Sequence, residues 1–402
     1  MSTVLGDKTL IRTIKLRNLL SFGPQTEELE LKSLNVLIGP NASGKSNLIE
    51  AVSLLCSAPR NLVEPVREGG GVAEWLWKGS GETANAEINV TVSYPDGKMP
   101  LRHSIAFTMV GQRFELVDEA IENERPDDAG QPDVQFYYRY QQGQPTLMVR
   151  SRFTIDKQNL KKGDLRPDQS VLSQRKEPNQ YPEITYLGNQ YREVKFYREW
   201  NFGRNTSPRI PQRPDLPDDF LQEDLINLGM VLNSLEHQPS AWAKILERIR
   251  HFSREFSKVS TRIHGGTVQI FLHESGLNQP IPATRLSDGT LQYLCILSIL
   301  CHPSPPPLIC IEEPEIGLHP DALPIVADLL VDASHRTQLI VTTHSDVLVD
   351  ALTKVPESVV VCEKEQGSTV MRRLNAEDLK EWLGKYTLGQ LWREGELGGN
   401  RW

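Results

Sequence analysis

A glycine-rich stretch near the start of the chain carries the residues with the clearest chemistry. Residues 37–46 read Leu-Ile-Gly-Pro-Asn-Ala-Ser-Gly-Lys-Ser, which has the G-x-x-x-x-G-K-S spacing of a phosphate-binding loop. Glycines let the backbone approach phosphate oxygens closely, and a following helix directs its N–H groups at them. Lys45 would reach the β- and γ-phosphates, and Ser46 would ligate Mg²⁺. The candidate nucleotide-binding residues here are Gly39, Asn41, Ser43, Gly44, Lys45, Ser46 and Asn47.

Apolar residues on both sides of this stretch predict the elements that hold it. Alternating apolar residues over 29–38 predict a strand that leads into the loop, and an apolar stripe over 48–55 predicts a helix that follows it. A glycine turn with a chance lysine would be the simpler explanation of such a stretch. Three further motifs lie downstream in the order that a nucleotide-hydrolysing site requires, so the sequence favours a P-loop.

Two adjacent carboxylates follow a second apolar run. Residues 308–311 are all apolar, which is typical of a strand buried on both faces of a parallel sheet, and Glu312 and Glu313 come directly after it. Ligands of α/β folds bind at the carboxyl ends of such strands. Glu312 would hold Mg²⁺ through water, and Glu313 would orient or deprotonate the attacking water. Without the phosphate loop, a surface acidic turn would be the better interpretation.

Two more polar positions border predicted buried elements. Ser287 precedes an apolar helix in Leu-Ser-Asp-Gly, where a serine is most often an N-cap. His344 ends the apolar run Leu-Ile-Val-Thr-Thr at 339–343, where a lone histidine is usually structural.

The four motifs together resemble those of ABC-class ATPases that are not transporters. The likeness is closer to the SMC, RecF and OLD (overcoming lysogenization defect) group than to membrane importers, because residues 11–23 resemble that group's first strand and Asn-x-x-Ser-Phe turn. The run E-E-P-E-x-G-L-H-P at 312–320 is similar to OLD-type ATPases. This resemblance implies ATP and Mg²⁺ as cofactors, and Ser287 and Gly289 as a signature loop that contacts the γ-phosphate in a partner subunit. It makes His344 the switch histidine, which senses the γ-phosphate, and it implies a homodimer or higher homo-oligomer assembled through ATP.

The fold class implied is an α/β P-loop NTPase of the ABC type with a mixed central sheet. Four segments are predicted: an ATPase core part with the phosphate loop over 1–83, an antiparallel β-subdomain over 84–150, an inserted mainly helical lobe over 151–285, and a second core part over 286–402. Alternating residues with turn formers between them indicate the β-subdomain. The lobe is helical around 219–259 with a strand near 267–273, and it contains no long heptad repeat of a coiled-coil arm. A hairpin over 359–374 and a helix over 376–383 end the core.

Two positions depart from the pattern of the resembled group. Glu312 stands where many relatives carry aspartate, a change that should keep Mg²⁺ binding. The Q-loop glutamine cannot be assigned, since Gln112, Gln131 and Gln135 all fit by order along the chain.

Composition indicates a cytoplasmic protein without a membrane span. No run of about 18 apolar residues occurs, the start lacks a secretory signal, and five scattered cysteines suggest packed thiols in a reducing compartment. The formal net charge is −8, so the surface as a whole does not attract nucleic acid. Residues 150–176 and 192–213 are nonetheless basic, with aromatics interleaved in the second segment. Single-stranded nucleic acid is a possible partner there, and a protein interface or a solvated face are the alternatives.

Three roles are compatible with an ATP cycle. The leading hypothesis is a sensor or scaffold in a prokaryotic, anti-phage defence system. Fused OLD proteins carry a Toprim nuclease domain after the ATPase, and the stretch after His344 is too short for one. The effector, a nuclease or a toxin, would therefore be a separate chain. The second hypothesis is a RecF-like DNA repair or maintenance ATPase, and the least favoured is a transporter motor.

Overall fold

The structure is a computed structural model and describes residues 8–79, 85–126, 133–141, 144–151, 154–161 and 164–399. The strands are β1 Ile11–Arg17, β2 Leu29–Glu30, β3 Leu34–Ile38, β4 Ala86–Val92, β5 Leu101–Val110, β6 Arg113–Asn123, β7 Phe136–Gln141, β8 Gln144–Arg150, β9 Ile155–Asn159, β10 Lys195–Tyr197, β11 Phe256–His264, β12 Thr267–Glu274, β13 Ile281–Pro282, β14 Leu308–Glu312, β15 Gln338–Thr342, β16 Val359–Glu365 and β17 Ser368–Arg373. The α-helices are α1 Lys45–Ser57, α2 Glu64–Glu68, α3 Val72–Trp75, α4 Val171–Gln174, α5 Pro182–Glu193, α6 Leu228–Glu236, α7 Pro239–Phe252, α8 Asp288–Leu300, α9 Leu323–Ala333, α10 Asp346–Ala351, α11 Lys380–Leu383 and α12 Leu388–Glu394.

A six-stranded sheet positions three of the four motifs. Its order is β10-β14-β15-β3-β16-β17, and every neighbouring pair is parallel except β16 and β17. The strands β3, β14 and β15 are adjacent and parallel, so the phosphate loop, the acidic pair and His344 emerge at the same edge. The predicted mixed central sheet is therefore confirmed.

Both faces of this sheet are buried, which explains the apolar runs in its strands. Leu37, Cys310 and Ile340 face α1 and the inner side of the antiparallel sheet, whereas Val36 and Ile311 face the helices α8, α9 and α10. Successive residues of each strand thus enter two different cores. All five cysteines are buried and unpaired in these cores.

An eight-stranded antiparallel sheet covers α1 from the other side. Its order is β2-β1-β4-β5-β6-β7-β8-β9. The antiparallel β-subdomain expected after residue 84 is present, and strands from both sides of the 84–150 segment join it. Strands β1 and β2 come from the amino-terminal stretch, and β9 lies beyond residue 150.

The inserted lobe contains a small sheet as well as helices. The helices α6 and α7 pack on the antiparallel sheet β11-β12-β13. Helix was expected up to residue 259, but α7 ends at Phe252 and β11 begins at Phe256. Residues 258–264 of β11 pair one for one with β12, and those ladder bonds outweigh the helical pattern. The strand expected near 267–273 is confirmed as β12.

The carboxyl-terminal hairpin is confirmed as β16 and β17, with β17 at the sheet edge. The helix expected over 376–383 is shorter, because the Asn375 side chain accepts the Glu377 N–H in a turn and α11 begins only at Lys380. No helix among the described residues is long and apolar enough to span a membrane.

Candidate functional site

The phosphate loop connects β3 to α1 and ends on Gly44, where both the backbone conformation and the neighbouring side chains disfavour a larger residue. Gly44 has φ 101°, and a Cβ there would lie 2.2 Å from Thr369 Oγ1. The Thr369 hydroxyl lies 2.9 Å from Ser43 O, so β17 supports the loop from behind. Lys45 Nζ donates to Gly39 O at 2.9 Å and to Pro40 O at 2.8 Å, which folds its side chain over the loop. Burial lowers the pKa of Lys45 from its usual value.

Magnesium would find two oxygen ligands next to the loop. The Ser46 hydroxyl at the start of α1 lies near enough to the Glu312 carboxylate at the end of β14 to lower the pKa of that acid. Burial is the largest influence on Glu312 and raises its pKa, while Ser46 and Arg198 act in the opposite direction. A hydroxyl and a carboxylate in contact are the donor set that Mg²⁺ takes beside a nucleotide phosphate. The residues therefore fit the expected cation.

Glu313 lies on a strained backbone at the point where the strand ends. Its φ is 46°, a left-handed value that costs about 1–2 kcal/mol for a non-glycine residue. The Glu313 N–H donates to Thr342 O at 3.0 Å, which fixes this turn against β15. The side chain points toward the switch position, with Glu313 Oε1 3.7 Å from His344 Nε2. The arrangement directs a carboxylate and an imidazole into one space beside the phosphate loop.

Glu315 has a role that the sequence interpretation missed. Its Oε1 accepts the Thr343 hydroxyl and the His344 N–H, both at 2.7 Å. Burial raises the Glu315 pKa, and its Oε2 is buried with no hydrogen-bond partner among the described residues. Glu315 therefore fixes the backbone on which His344 sits. The third acid of the E-E-P-E run was visible in the sequence, but its partner was not.

Arg198 and Trp200 also belong to this site, and both were assigned by sequence only to a basic, aromatic segment. They follow β10, which pairs with β14. Arg198 Nε lies 3.4 Å from Glu312 Oε1, and the Trp200 ring N–H donates to Glu312 O at 2.8 Å. Arg198 Nε and Nη2 are buried and have no hydrogen-bond acceptor within the described part of the chain. A guanidinium that is paired with a metal-binding acid and still has unused N–H donors can bind phosphate oxygens.

Ser287 and Gly289 lie apart from these residues, at the start of α8. Ser287 caps the helix by accepting the Thr290 N–H at 3.1 Å, as the N-cap interpretation predicts, and it remains exposed. Gly289 packs against the loop after the acidic pair, since a Cβ there would lie 2.6 Å from Gly317 O. Their contacts are to Thr290 and Gly317, and the role of the pair in a partner's site stays a prediction.

Arg209 ties this signature loop to the site segment. It is buried, donates to Leu286 O at 2.5 Å and to Phe202 O at 3.1 Å, and pairs with Asp288. The rings of Trp200 and Phe202 stack with centroids 6.5 Å apart. A continuous set of contacts thus runs from Glu312 to the signature loop of the same chain.

Four arginines of the two basic segments have partners among the described residues. Arg198 and Arg209 make the contacts described above, Arg150 pairs with Glu183, and Arg213 pairs with Asp215.

Of the candidate Q-loop glutamines, Gln112 lies in the turn between β5 and β6 and Gln135 precedes β7, both in the antiparallel sheet. Gln131 lies outside the described residues. The side chain that lies beside Glu312 is Arg198 and not one of these glutamines.

The remaining predicted loop residues differ in exposure. Asn41 is exposed at the loop tip, and Asn47 donates its amide to the Ser21 hydroxyl at 2.8 Å. Ser43 is buried, and its Oγ has no hydrogen-bond partner among the described residues. Buried hydroxyl groups usually have a hydrogen-bond partner. A bound phosphate would supply one for Ser43. The loop therefore fits a polyphosphate.

A cavity of about 540 Å³ lies between the β16–β17 hairpin and the β1–β2 region, and residues next to the phosphate loop contribute to its wall. Its walls combine aromatic, apolar and hydroxyl side chains, including Leu16, Phe22, Leu48, Trp77, Ser368 and Thr369. Leu48 follows the phosphate loop on α1, and Thr369 supports the loop. The volume is in the range of small-molecule sites, about 300–1,000 Å³.

The phosphate loop follows β3, His344 follows the neighbouring strand β15, and the acidic pair follows β14 beyond it. This arrangement is the fold of ABC-type P-loop proteins. Solved structures share this fold, among them three Smc heads. A crystal structure of an Smc head bound to the C-winged helix domain of ScpA has a TM-score of 0.59 at 14% identity, covering 92% of this chain and 99% of that one. A Pyrococcus furiosus Smc head with an extended coiled coil gives 0.58 at 12%, covering 94% and 99%. A Pyrococcus yayanosii Smc head gives 0.51 at 10%, covering 94% and 99%.

Residues 34–350 match the family described as "AAA domain, putative AbiEii toxin, Type IV TA system". The chain belongs to this family. No curated protein sequence matches it. The predicted resemblance to SMC-like ABC ATPases is thereby confirmed.

Proposed function

We propose that this protein binds and hydrolyses ATP with Mg²⁺, and that two copies close around the nucleotide. The observation that carries the proposal is the convergence of Lys45, the Ser46–Glu312 pair and the Glu313–His344 pair at one edge of the sheet. Phosphoryl transfer depends mainly on positioning and on charge stabilisation, and these groups provide both. The adjoining cavity has room for the nucleoside.

Each side chain has a distinct task in this scheme. Lys45 neutralises charge on the β- and γ-phosphates, and Ser46 and Glu312 would hold the magnesium ion, which supplies further charge neutralisation. Glu313 orients the attacking water and accepts its proton, and His344 contacts the γ-phosphate. Ser287 and Gly289 approach from the second copy, because in their own chain they contact Thr290 and Gly317.

Arg198 is expected to be an additional catalytic residue. Replacing it with alanine should lower the hydrolysis rate about 100- to 1,000-fold, the usual effect of removing one preorganised donor, because the guanidinium that is paired with Glu312 would be lost. Steady-state phosphate release at saturating ATP measures the change. Lys195→Ala, at the other end of β10, is the matched control and should be near wild type. An unchanged rate in Arg198→Ala would remove Arg198 from the site.

The biological role we propose is that of a sensor or scaffold subunit in a prokaryotic defence system, acting with a separate effector protein. The support is the family, whose description names a putative AbiEii toxin and a type IV toxin–antitoxin system. A RecF-like role in DNA repair or maintenance is the second candidate, and the likeness of the fold to Smc heads favours it.

One capture experiment separates these roles. The Glu313→Gln protein, loaded with ATP and Mg²⁺, is used to isolate bound protein and nucleic acid from host lysate, with Lys45→Ala as the control that cannot load ATP. We expect a stoichiometric protein partner without DNA, present only with the loaded protein. DNA without a protein partner would favour the maintenance role, and capture that is equal in both variants would contradict a nucleotide-dependent partner.

A further inference from the structure

The short segment Gly395–Gly399 after α12 lies against the phosphate loop. A Cβ on Gly399 would be 3.3 Å from Gly39 Cα and 3.0 Å from Val361 Cγ1. Gly399 has φ 63° and Gly39 has φ 147°, so both residues need glycine's freedom to come this close. The first residue of the phosphate loop is therefore in backbone contact with a segment that no motif assigned to the site.

Specific hydrogen bonds fix this segment. The Gly399 N–H donates to Glu363 Oε1 at 2.6 Å, and Gly399 O accepts the Trp392 ring N–H at 3.1 Å. Arg372 Nη2 donates to Leu397 O at 2.9 Å, and Leu397 is buried. Glu363 and Arg372 belong to β16 and β17, so the segment is anchored on the sheet beside β3.

The same segment is continuous with the element that follows His344. Helix α12 packs on α10, which begins two residues after His344, and a Cβ on Gly389 would lie 2.4 Å from Asp346 O. Arg393 also pairs with Asp346 at 3.0 Å. The chain of contacts therefore runs from the switch position through α10 and α12 to Gly399, and from there to Gly39.

We propose that Gly395–Gly399 positions the phosphate loop, with Gly399 as the positioning residue. Lys45 Nζ donates to Gly39 O at 2.9 Å, so the location of Gly39 sets the location of the lysine that reaches the phosphates. The segment thereby couples nucleotide binding at the loop to the α10–α12 pair behind His344. This inference rests on the proposed ATP binding and adds a second structural support to the same site.

Two substitutions with matched controls test whether Gly395–Gly399 positions the phosphate loop. Gly399→Ala introduces a methyl group against Gly39, and Gly276→Ala introduces the same group at φ 88° with no atom within 4 Å. Glu363→Ala removes the acceptor of the Gly399 N–H, and Glu363→Gln keeps an oxygen there. Dissociation constants for ATP and unfolding temperatures without nucleotide are measured for the wild type and the four variants.

We expect ATP affinity to fall roughly tenfold, equivalent to about 1.4 kcal/mol, in Gly399→Ala and Glu363→Ala and to stay near wild type in both controls. The unfolding temperature should not follow the affinity, which distinguishes positioning from a general loss of stability. If Gly399→Ala does not fold, the comparison of Glu363→Ala with Glu363→Gln tests the proposal instead. Wild-type ATP affinity in Glu363→Ala, or an equal loss of affinity in Gly276→Ala, would overturn the positioning role of Gly395–Gly399 but not the proposed ATP binding. Failure of the wild type to bind ATP would instead contradict the proposed function.

Discussion

The Glu313→Gln protein is expected to bind ATP and hold it without hydrolysis. We expect its turnover to fall between about 100- and 10,000-fold, the range that a positioned general base contributes. The amide has the same shape as the carboxylate, so the strained turn and its bond to Thr342 should survive. It cannot accept a proton from water, so chemistry stops after the copies have closed. Sedimentation with ATP and Mg²⁺ should show a nucleotide-dependent dimer that persists.

The control for this variant is an acid of the same type outside the site. Glu247 is exposed on α7, and Glu247→Gln should hydrolyse ATP at the wild-type rate. Phosphate release under single-turnover conditions gives the chemical step directly. A wild-type rate in Glu313→Gln would show that another group activates the water.

The second large effect is expected from Ser287→Arg, which should lose hydrolysis at least about 100-fold, as when a positioned donor is removed, while ATP binding is retained. Ser287 is exposed and makes its hydrogen bonds with Thr290, so an arginine there should obstruct the closure of two copies and leave its own phosphate loop intact. The loss of the cap on α8 should cost about 1 kcal/mol of stability. Ser287→Thr keeps a capping oxygen and is the control for that cost.

Mixing two inactive variants makes this prediction decisive. Lys45→Ala lacks the phosphate contact, and Ser287→Arg lacks the loop offered to the partner. A mixed dimer of the two contains one site with Lys45 and Ser287 both intact, so the mixture should regain hydrolysis that neither variant shows alone. No recovery in a mixture shown to contain mixed dimers would mean that Ser287 serves its own chain, or that the enzyme works without a partner.

Features that depend on contiguous residues could be predicted from the sequence. The phosphate loop needs a strand, a glycine turn and a helix in direct succession, and those were visible over residues 34–55. The single strand predicted over 29–38 was wrong, because residues 29–30 form β2 of the antiparallel sheet and only 34–38 form β3. The acidic pair and His344 were found in the same way, because each follows a strand whose apolar run indicates burial on both faces. The helix limits near 259 and 376 were wrong, since strand pairing and a side-chain turn outweighed local pattern.

Contacts between distant segments were decided only by the tertiary structure. The sheet order places β10 beside β14, although 112 residues separate Trp200 from Glu312, and this turns Arg198 from a surface cation into a site residue. Glu315 reaches His344 and Gly399 reaches Gly39 for the same reason. Local periodicity in the sequence indicates where each strand ends and which residues follow it. Which edges then meet depends on how the whole chain buries its two cores, and no local pattern records that.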